Sequence, residues 1–69
     1  MEATEINHKI RIGKRIAELR KERGLSQTRL AQLTGFDRGY IAKFELGTFD
    51  IGIENLSKIS NALGVMIDF

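Results

Sequence analysis

The sequence predicts an all-α fold, a compact bundle of four to five helices in which residues 65–69 form either a short strand or the start of a fifth helix. The 69 residues contain no proline, so no helix is interrupted from within. Apolar residues recur every three to four positions, which is the period of an α-helix. Glycines stand between these periodic stretches, where a helix ends and a short loop begins.

Length and composition limit what the chain can be. Residues 1–69 are expected to form a single domain, near the smallest size at which one hydrophobic core supports folding, so a partner subunit would stabilise it. The chain has no cysteine and one histidine, which excludes disulfides and thiolate or multi-histidine metal sites and fits a reducing cytoplasm. No apolar run suits a membrane span or a signal peptide. We therefore expect no membrane association, no cofactor, no metal and no enzymatic activity.

Positive charge is concentrated in the first part of the chain. Residues 1–43 carry ten of the eleven Lys and Arg residues and five Asp and Glu residues, a net charge of +5. Residues 44–69 carry one lysine and four acids, a net charge of −3. The basic part indicates a polyanionic partner, although the same charges can simply solvate exposed helix faces.

The first helix is predicted over about residues 7–23 and ends at Gly24. At about 100° per residue, its apolar arc also contains Arg20, whereas most charged residues face away. A guanidinium on the inner arc requires a carboxylate partner, because an unpaired buried charge is strongly unfavourable. The residues of this inner arc are Ile12, Ile16, Leu19 and Arg20.

The second helix is short and covers residues 26–34. Ser26 is a good N-cap, and Gly35 can adopt the left-handed conformation that stops the helix. Arg29 occupies the position where a capping box has Glu or Gln, so a cation lies near the positive end of the helix dipole. A phosphate bound there would offset that cost. The residues predicted to face inward are Leu30, Ala31, Leu33 and Thr34.

The third helix covers residues 37–46 and follows the second after a tight turn. Asp37 is its predicted N-cap, and Gly47 ends it. Glu45 lies at the border of its apolar side, which makes Glu45 the natural carboxylate for Arg20. The residues predicted to face inward are Tyr40, Ile41 and Phe44, and those predicted to face outward are Arg38, Gly39, Ala42, Lys43 and Leu46.

The fourth helix is predicted over about residues 53–63, with Gly52 as its N-cap and Gly64 at its end. Its apolar stripe consists of Ile53, Leu56, Ile59 and Leu63. The apolar residues without an obvious place in the small core, which we assign to a dimer interface, are Phe49, Ile51, Val65, Ile67 and Phe69. The alternation of the last three suits the pairing of C-terminal strands, and the alternative is a tail that covers the core.

Two short helices joined by a tight turn, the second with a basic outer face, have the layout of a helix-turn-helix. The segment SQTRLAQLTGFDRGYIAKFELG has the small Ala31, the turn residue Gly35 and the core residue Ile41 at intervals of four and six. With this segment, residues 10–65 resemble the DNA-binding domain of the phage-repressor and Cro family, also called the xenobiotic-response-element family of bacterial regulators. The resemblance implies a lambda-repressor-like fold with its helix-turn-helix unit at about residues 26–46.

The resemblance also implies that the third helix enters the DNA major groove. The family's base-contacting positions correspond to Asp37, Arg38, Gly39 and Lys43. Arg38 is the strongest candidate, since a guanidinium can donate two hydrogen bonds to O6 and N7 of guanine. Lys43 can reach a base, a phosphate or only solvent, and Ala42 can contact a thymine methyl group. Gly39 replaces the family's usual polar side chain, so it removes one contact but can let the backbone approach the groove, with DNA shape contributing specificity.

Phosphate contacts and an ion pair complete the implied site. The family residue corresponding to Gln27 contacts phosphate and braces the recognition helix, and the alternative for Gln27 is an exposed residue of the first helical turn. Tyr40 is either a phosphate contact through its hydroxyl or an aromatic residue at the core boundary. The family pairs an arginine and a glutamate that correspond to Arg20 and Glu45. The predicted phosphate contacts are Gln27, Thr28, Arg29, Tyr40 and Thr48.

The sequence therefore predicts a sequence-specific, double-stranded-DNA-binding transcriptional regulator, a repressor that binds a palindromic operator as a homodimer. Two recognition helices about 34 Å apart would enter successive major grooves. We place this protein in the cytoplasm, associated with the nucleoid and encoded by a bacterium or a phage. The alternatives are an antitoxin-like module that binds a toxin and autoregulates through DNA binding, and a purely structural helical bundle.

Overall fold

Four α-helices make up the part of the chain that the structure describes. The structure is a computed structural model that describes residues 2–65, with side chains from His8 onward. The helices are α1 (Glu2–Glu22), α2 (Gln27–Thr34), α3 (Arg38–Glu45) and α4 (Ile53–Leu63). No strand occurs within residues 2–65, and the predicted all-α class is confirmed. The choice between a C-terminal strand and a fifth helix falls mostly on residues 66–69, outside the described range.

The ends of α2 follow the local sequence signals. The Ser26 side chain accepts a hydrogen bond from the backbone N–H of Arg29 at 3.0 Å and caps the helix, as predicted. Gly35 adopts a left-handed conformation with φ of +80°, and its N–H donates to the carbonyl of Ala31. The turn between α2 and α3 is therefore short, which holds the two helices of the unit close together.

The ends of α1 and α3 differ from the prediction. α1 begins at Glu2 rather than near residue 7, and α3 has Leu46 as its C-cap. Asp37 lies at the N-cap position of α3, but its side chain makes no capping hydrogen bond. The predicted capping role of Asp37 is therefore wrong, and its carboxylate stays exposed to solvent.

One core joins all four helices. The largest fully buried side chains are one isoleucine or leucine from each helix, namely Ile16, Leu30, Ile41 and Ile59. The other buried apolar residues are Leu19, Ala31, Phe44, Ile51, Leu56 and Leu63. α3 packs against α1 and α2, and α2 also packs against α4. The inner side of α3 is consequently held by two helices at once.

Three apolar residues lie where the helical period does not predict them. Ile53 is 69% exposed and Leu33 is 46% exposed, although the pattern predicts inward positions for both. Ile51, in the loop before α4, is 8% exposed and belongs to the core. Because Ile51 closes the core from the loop, the first turn of α4 is left at the surface. A buried Ile51 has little exposed surface in one copy of the chain, and its assignment to the dimer interface stays a prediction.

The backbones of α1 and α3 touch at Gly13, a buried residue of α1. A Cβ atom at Gly13 would collide with the carbonyl oxygen of Phe44 and would lie 2.8 Å from that of Glu45. Gly47 makes a similar approach, because a Cβ there would lie 2.7 Å from the Cα of Ile10. These two glycines allow the end of α3 to lie directly on α1.

Candidate nucleic-acid interface

The outer side of α3 is exposed and basic. Arg38, Gly39 and Lys43 are exposed, and Ala42 is half-buried. Arg38 and Ala42 are four residues apart, as are Gly39 and Lys43, so each pair shares a row along the helix. Within the described residues, the side chains of Arg38 and Lys43 make no hydrogen bond or ion pair. Asp37 is exposed at the start of the same helix, so the structure brings the five predicted base-contacting residues together.

The inner end of α3 is held by a buried ion pair. Nε of Arg20 donates to Oε2 of Glu45 at 2.7 Å, and Nη2 donates to Oε1 at 2.9 Å. The two side chains are 9% and 6% exposed. Nη1 of Arg20 donates to the carbonyl of Leu25 at 2.9 Å, which ties the pair to the loop before α2. The two residues that the sequence pairs are therefore in a two-pronged contact, the strongest geometry for these groups.

The surroundings of Arg20 favour its charged form. The hydrogen bonding that Arg20 donates to the Glu45 carboxylate raises the pKa of Arg20, and desolvation by burial opposes that rise. The guanidinium is thus charged at every ordinary pH. No buried polar side-chain atom among the described residues lacks a hydrogen-bond partner, so the buried charges are satisfied and the end of α3 is firmly placed.

Gln27 extends this contact to α2. Its Nε2 donates to Oε1 of Glu45 at 3.0 Å, and the residue is half-buried. The first residue of α2 is therefore joined to the last residue of α3, which is the bracing position that the family resemblance implies. Glu45 now accepts hydrogen bonds from both α1 and α2.

Tyr40 lies at the boundary of the core in an aromatic cluster. Its ring centroid is 4.8 Å from that of Phe36 and 5.1 Å from that of Phe49. Its hydroxyl oxygen accepts a hydrogen bond from Nδ2 of Asn55 at 3.0 Å. The phenolic proton can still be donated to another group. The sequence analysis missed Asn55, because no local pattern indicates that this residue of α4 reaches a side chain of α3.

The remaining residues predicted to contact phosphate differ in whether their hydrogen-bond donors are already used within the chain. Thr28 and Arg29 are exposed in the first turn of α2, and Arg29 donates to the side-chain oxygen of Gln32 at 3.2 Å. Thr48 donates from its hydroxyl to the carbonyl of Lys43 at 2.9 Å, and its backbone N–H donates to the same oxygen at 3.3 Å. Both donors of Thr48 are thus used at the end of α3, and its phosphate contact stays a prediction.

The residues assigned to the dimer interface are distributed unevenly. Phe49 and Val65 are partly buried against the core and retain some exposed surface. Ile67 and Phe69 lie outside the described residues. Among the side chains of residues 8–65, no group of three His, Asp or Glu residues is placed to hold a metal ion. The described helices include none with the length and apolar character needed to cross a membrane.

Comparison with known proteins places this arrangement in a family. A helix-turn-helix family model matches residues 16–69. The SPbeta prophage-derived HTH-type transcriptional regulator YonR of Bacillus subtilis is 39% identical over 57 residues, which cover 83% of this chain and 53% of YonR. The immunity repressor protein of Bacillus phage phi105 is 34% identical over 56 residues, which cover 81% of this chain and 39% of the repressor. The chain thus spans about half or less of these two relatives.

A solved structure matches over nearly the whole chain. The crystal structure of the restriction-modification controller protein C.AhdI from Aeromonas hydrophila is similar with a TM-score of 0.84 at 37% identity. The match covers 87% of this chain and 91% of C.AhdI. Together with the matching family model, this likeness confirms the resemblance found in the helix-turn-helix segment. The chain belongs to the helix-turn-helix family of phage-repressor and Cro, or xenobiotic-response-element, type.

Proposed function

We propose that this protein is a sequence-specific, double-stranded-DNA-binding transcriptional regulator, and that it represses by occupying operator DNA in the bacterial cytoplasm. The observation that carries the proposal is the division of α3. Two unengaged cations project from its outer side, and a buried ion pair holds its inner end. Such a helix can enter the major groove without refolding. The relatives above are a transcriptional regulator, a repressor and a controller protein, which favours a regulator over an antitoxin.

The base contacts are assigned to the outer side of α3. Arg38 donates two hydrogen bonds to the O6 and N7 atoms of a guanine, a contact worth about 1–3 kcal/mol of discrimination. Lys43 reaches a base or a phosphate further along the helix, and Ala42 packs against a thymine methyl group. Asp37 is exposed and has no capping bond, so its carboxylate can accept a hydrogen bond from N4 of cytosine.

The phosphate contacts are assigned to the start of α2 and to Tyr40. Gln27, Thr28 and Arg29 surround a helix N-terminus, where backbone N–H groups and the helix dipole favour an anion. Gln27 would bind phosphate while it remains bonded to Glu45, so the backbone of DNA and the position of α3 are coupled through one side chain. The Tyr40 hydroxyl supplies its remaining proton to a second phosphate.

A homodimer is proposed for operator recognition. Phe49 and Val65, with Ile67 and Phe69, form its interface, and two copies of α3 about 34 Å apart contact successive major grooves of a palindromic site. The small size of the domain supports this proposal, since burial between two copies adds to a core that is limited in one copy.

Selection of bound duplexes from a random pool, at two salt concentrations, tests the proposed function. The native protein should select a palindromic consensus, and Arg38→Ala should relax it at one base pair in each half-site, with about 1–3 kcal/mol less discrimination there. Arg15→Ala is the matched control, because Arg15 is an exposed arginine of α1 paired with Glu18 at 3.3 Å. Loss of affinity that is uniform across all sequences would make Arg38 a phosphate contact, and absence of a consensus would overturn the proposal.

A further inference from the structure

We propose that Gly39 determines specificity by leaving room for a thymine methyl group against the backbone of α3. The proposal rests on the proposed function, because it names what one position of the recognition helix selects in DNA. A glycine side chain offers no hydrogen-bond donor or acceptor, so any selection at this position is steric.

Gly39 differs from every other glycine of the chain. Five glycines have positive φ angles that other residues rarely adopt, and these are Gly24, Gly35, Gly47, Gly52 and Gly64. Gly13 is required by the close approach of α3 to α1. Gly39 has neither property, since it lies within regular helix and a Cβ atom there would meet nothing within 4 Å. The fold itself therefore gives no reason for glycine at position 39.

The local energetics oppose glycine at this position. Glycine within a helix is less favourable than alanine by about 0.5–1 kcal/mol, and α3 is only eight residues long. An alanine at position 39 would fit the open space and would favour the helical conformation. The advantage of glycine must then come from a surface outside the chain. Residue 39 is exposed next to Arg38 and lies in the same row of the helix as Lys43.

The chemistry of the major groove identifies that surface. Among the base edges there, the thymine C5-methyl group is the apolar group that projects into the groove, and it forms no hydrogen bond. A helix surface without a side chain accommodates this methyl group at closer range than alanine does. The Arg38 guanidinium beside it recognises guanine, so α3 combines one hydrogen-bonded position with one steric position.

A double-mutant cycle between protein and DNA tests the inference. One change adds a methyl group to the protein, and the other removes a methyl group from the DNA. Gly39→Ala should keep or raise the melting temperature and should weaken binding to the selected duplex about tenfold or more, as an added methyl does in a packed contact. Uracil is then substituted for each thymine of the consensus in turn. At one thymine per half-site, uracil should restore most of the affinity of Gly39→Ala, while the native protein loses only a few-fold there.

Ser57→Ala is the control for helix stabilisation, because Ser57 is exposed on α4 and is changed to the same residue. It should leave DNA binding unchanged. Native affinity for Gly39→Ala, or a loss that uracil relieves at no thymine, would overturn the inference while the native consensus still supports the proposed function. Absence of a consensus for the native protein would overturn both.

Discussion

The charged residues on the two sides of α3 differ in burial and in hydrogen bonding. On the inner side, Glu45 is 6% exposed and accepts hydrogen bonds from Arg20 and Gln27. On the outer side, Arg38 and Lys43 are exposed, and their side chains have no polar partner among the described residues. A charge that is fully bonded within the chain fixes a position, whereas a charge without a partner is available for recognition. The difference shows that burial divides the charged residues of one short helix into a structural group and an exposed, unpaired group, and the proposed function assigns the second group to recognition.

The largest loss of stability should come from removing the buried ion pair on the inner side of α3. Glu45→Ala leaves the Arg20 guanidinium buried without its carboxylate, which typically costs about 3–5 kcal/mol. In a domain of this size each kcal/mol lowers the melting temperature by about 4–8 °C. Urea and thermal unfolding, together with DNA binding, measure the result, and we expect DNA binding to weaken because the fold does.

Glu18→Ala is the matched control for that change. Glu18 pairs with Arg15 at 3.3 Å, but both side chains are about half exposed, so the expected loss is less than about 1 kcal/mol. Equal losses for the two glutamates would show that the Glu45 pair does not anchor α3.

A smaller effect is expected at the backbone contact behind α3. Gly13→Ala places a methyl group against the carbonyls of Phe44 and Glu45, and the backbone must shift, at about 1–3 kcal/mol. Gly39→Ala makes the same change on the outer side and should not destabilise the fold. Unfolding free energies of the two variants sharpen the comparison, and a Gly13→Ala variant as stable as the native protein would contradict the tight contact.

The smallest loss of stability is expected at Tyr40, which lies at the boundary between the inner and outer sides of α3. Tyr40→Phe removes the hydrogen bond from Asn55 and should lower stability by about 1 kcal/mol. If its hydroxyl also binds phosphate, affinity should fall equally for all duplexes. Asn55→Ala removes the same internal bond but keeps the hydroxyl, so it should retain more DNA affinity. Equal affinities for the two variants would argue against a phosphate contact.

Much of this organisation could be predicted from local sequence signals. Ser26 and Gly35 mark the ends of α2 because capping and left-handed turns depend on residues close in sequence. The Arg20 and Glu45 pair could be predicted because Arg20 is a charged residue on an otherwise apolar arc and Glu45 lies at the border of the apolar side of α3. Burial then requires an opposite charge nearby.

Other features depend on contacts that a local pattern does not contain. Gly13 has an ordinary place in a helical pattern, and its need for glycine arises only when the end of α3 lies on it. Ile53 fits the apolar stripe of α4, but Ile51 fills the core from the preceding loop, and Ile53 is left exposed. Asn55 of α4 donates a hydrogen bond to the hydroxyl of Tyr40 of α3. In each case, the decisive neighbour is distant in sequence.

The division within α3 has a consequence for how such proteins diversify. Buried residues that hold the helix and exposed residues that face outward alternate along its eight positions. Under the proposed function, we expect that exchanging only Asp37, Arg38, Gly39, Ala42 and Lys43 for the corresponding residues of a relative gives the protein the operator preference of that relative. Ile41, Phe44 and Glu45 would keep the scaffold intact, so new binding specificities are accessible to this domain without a loss of foldability.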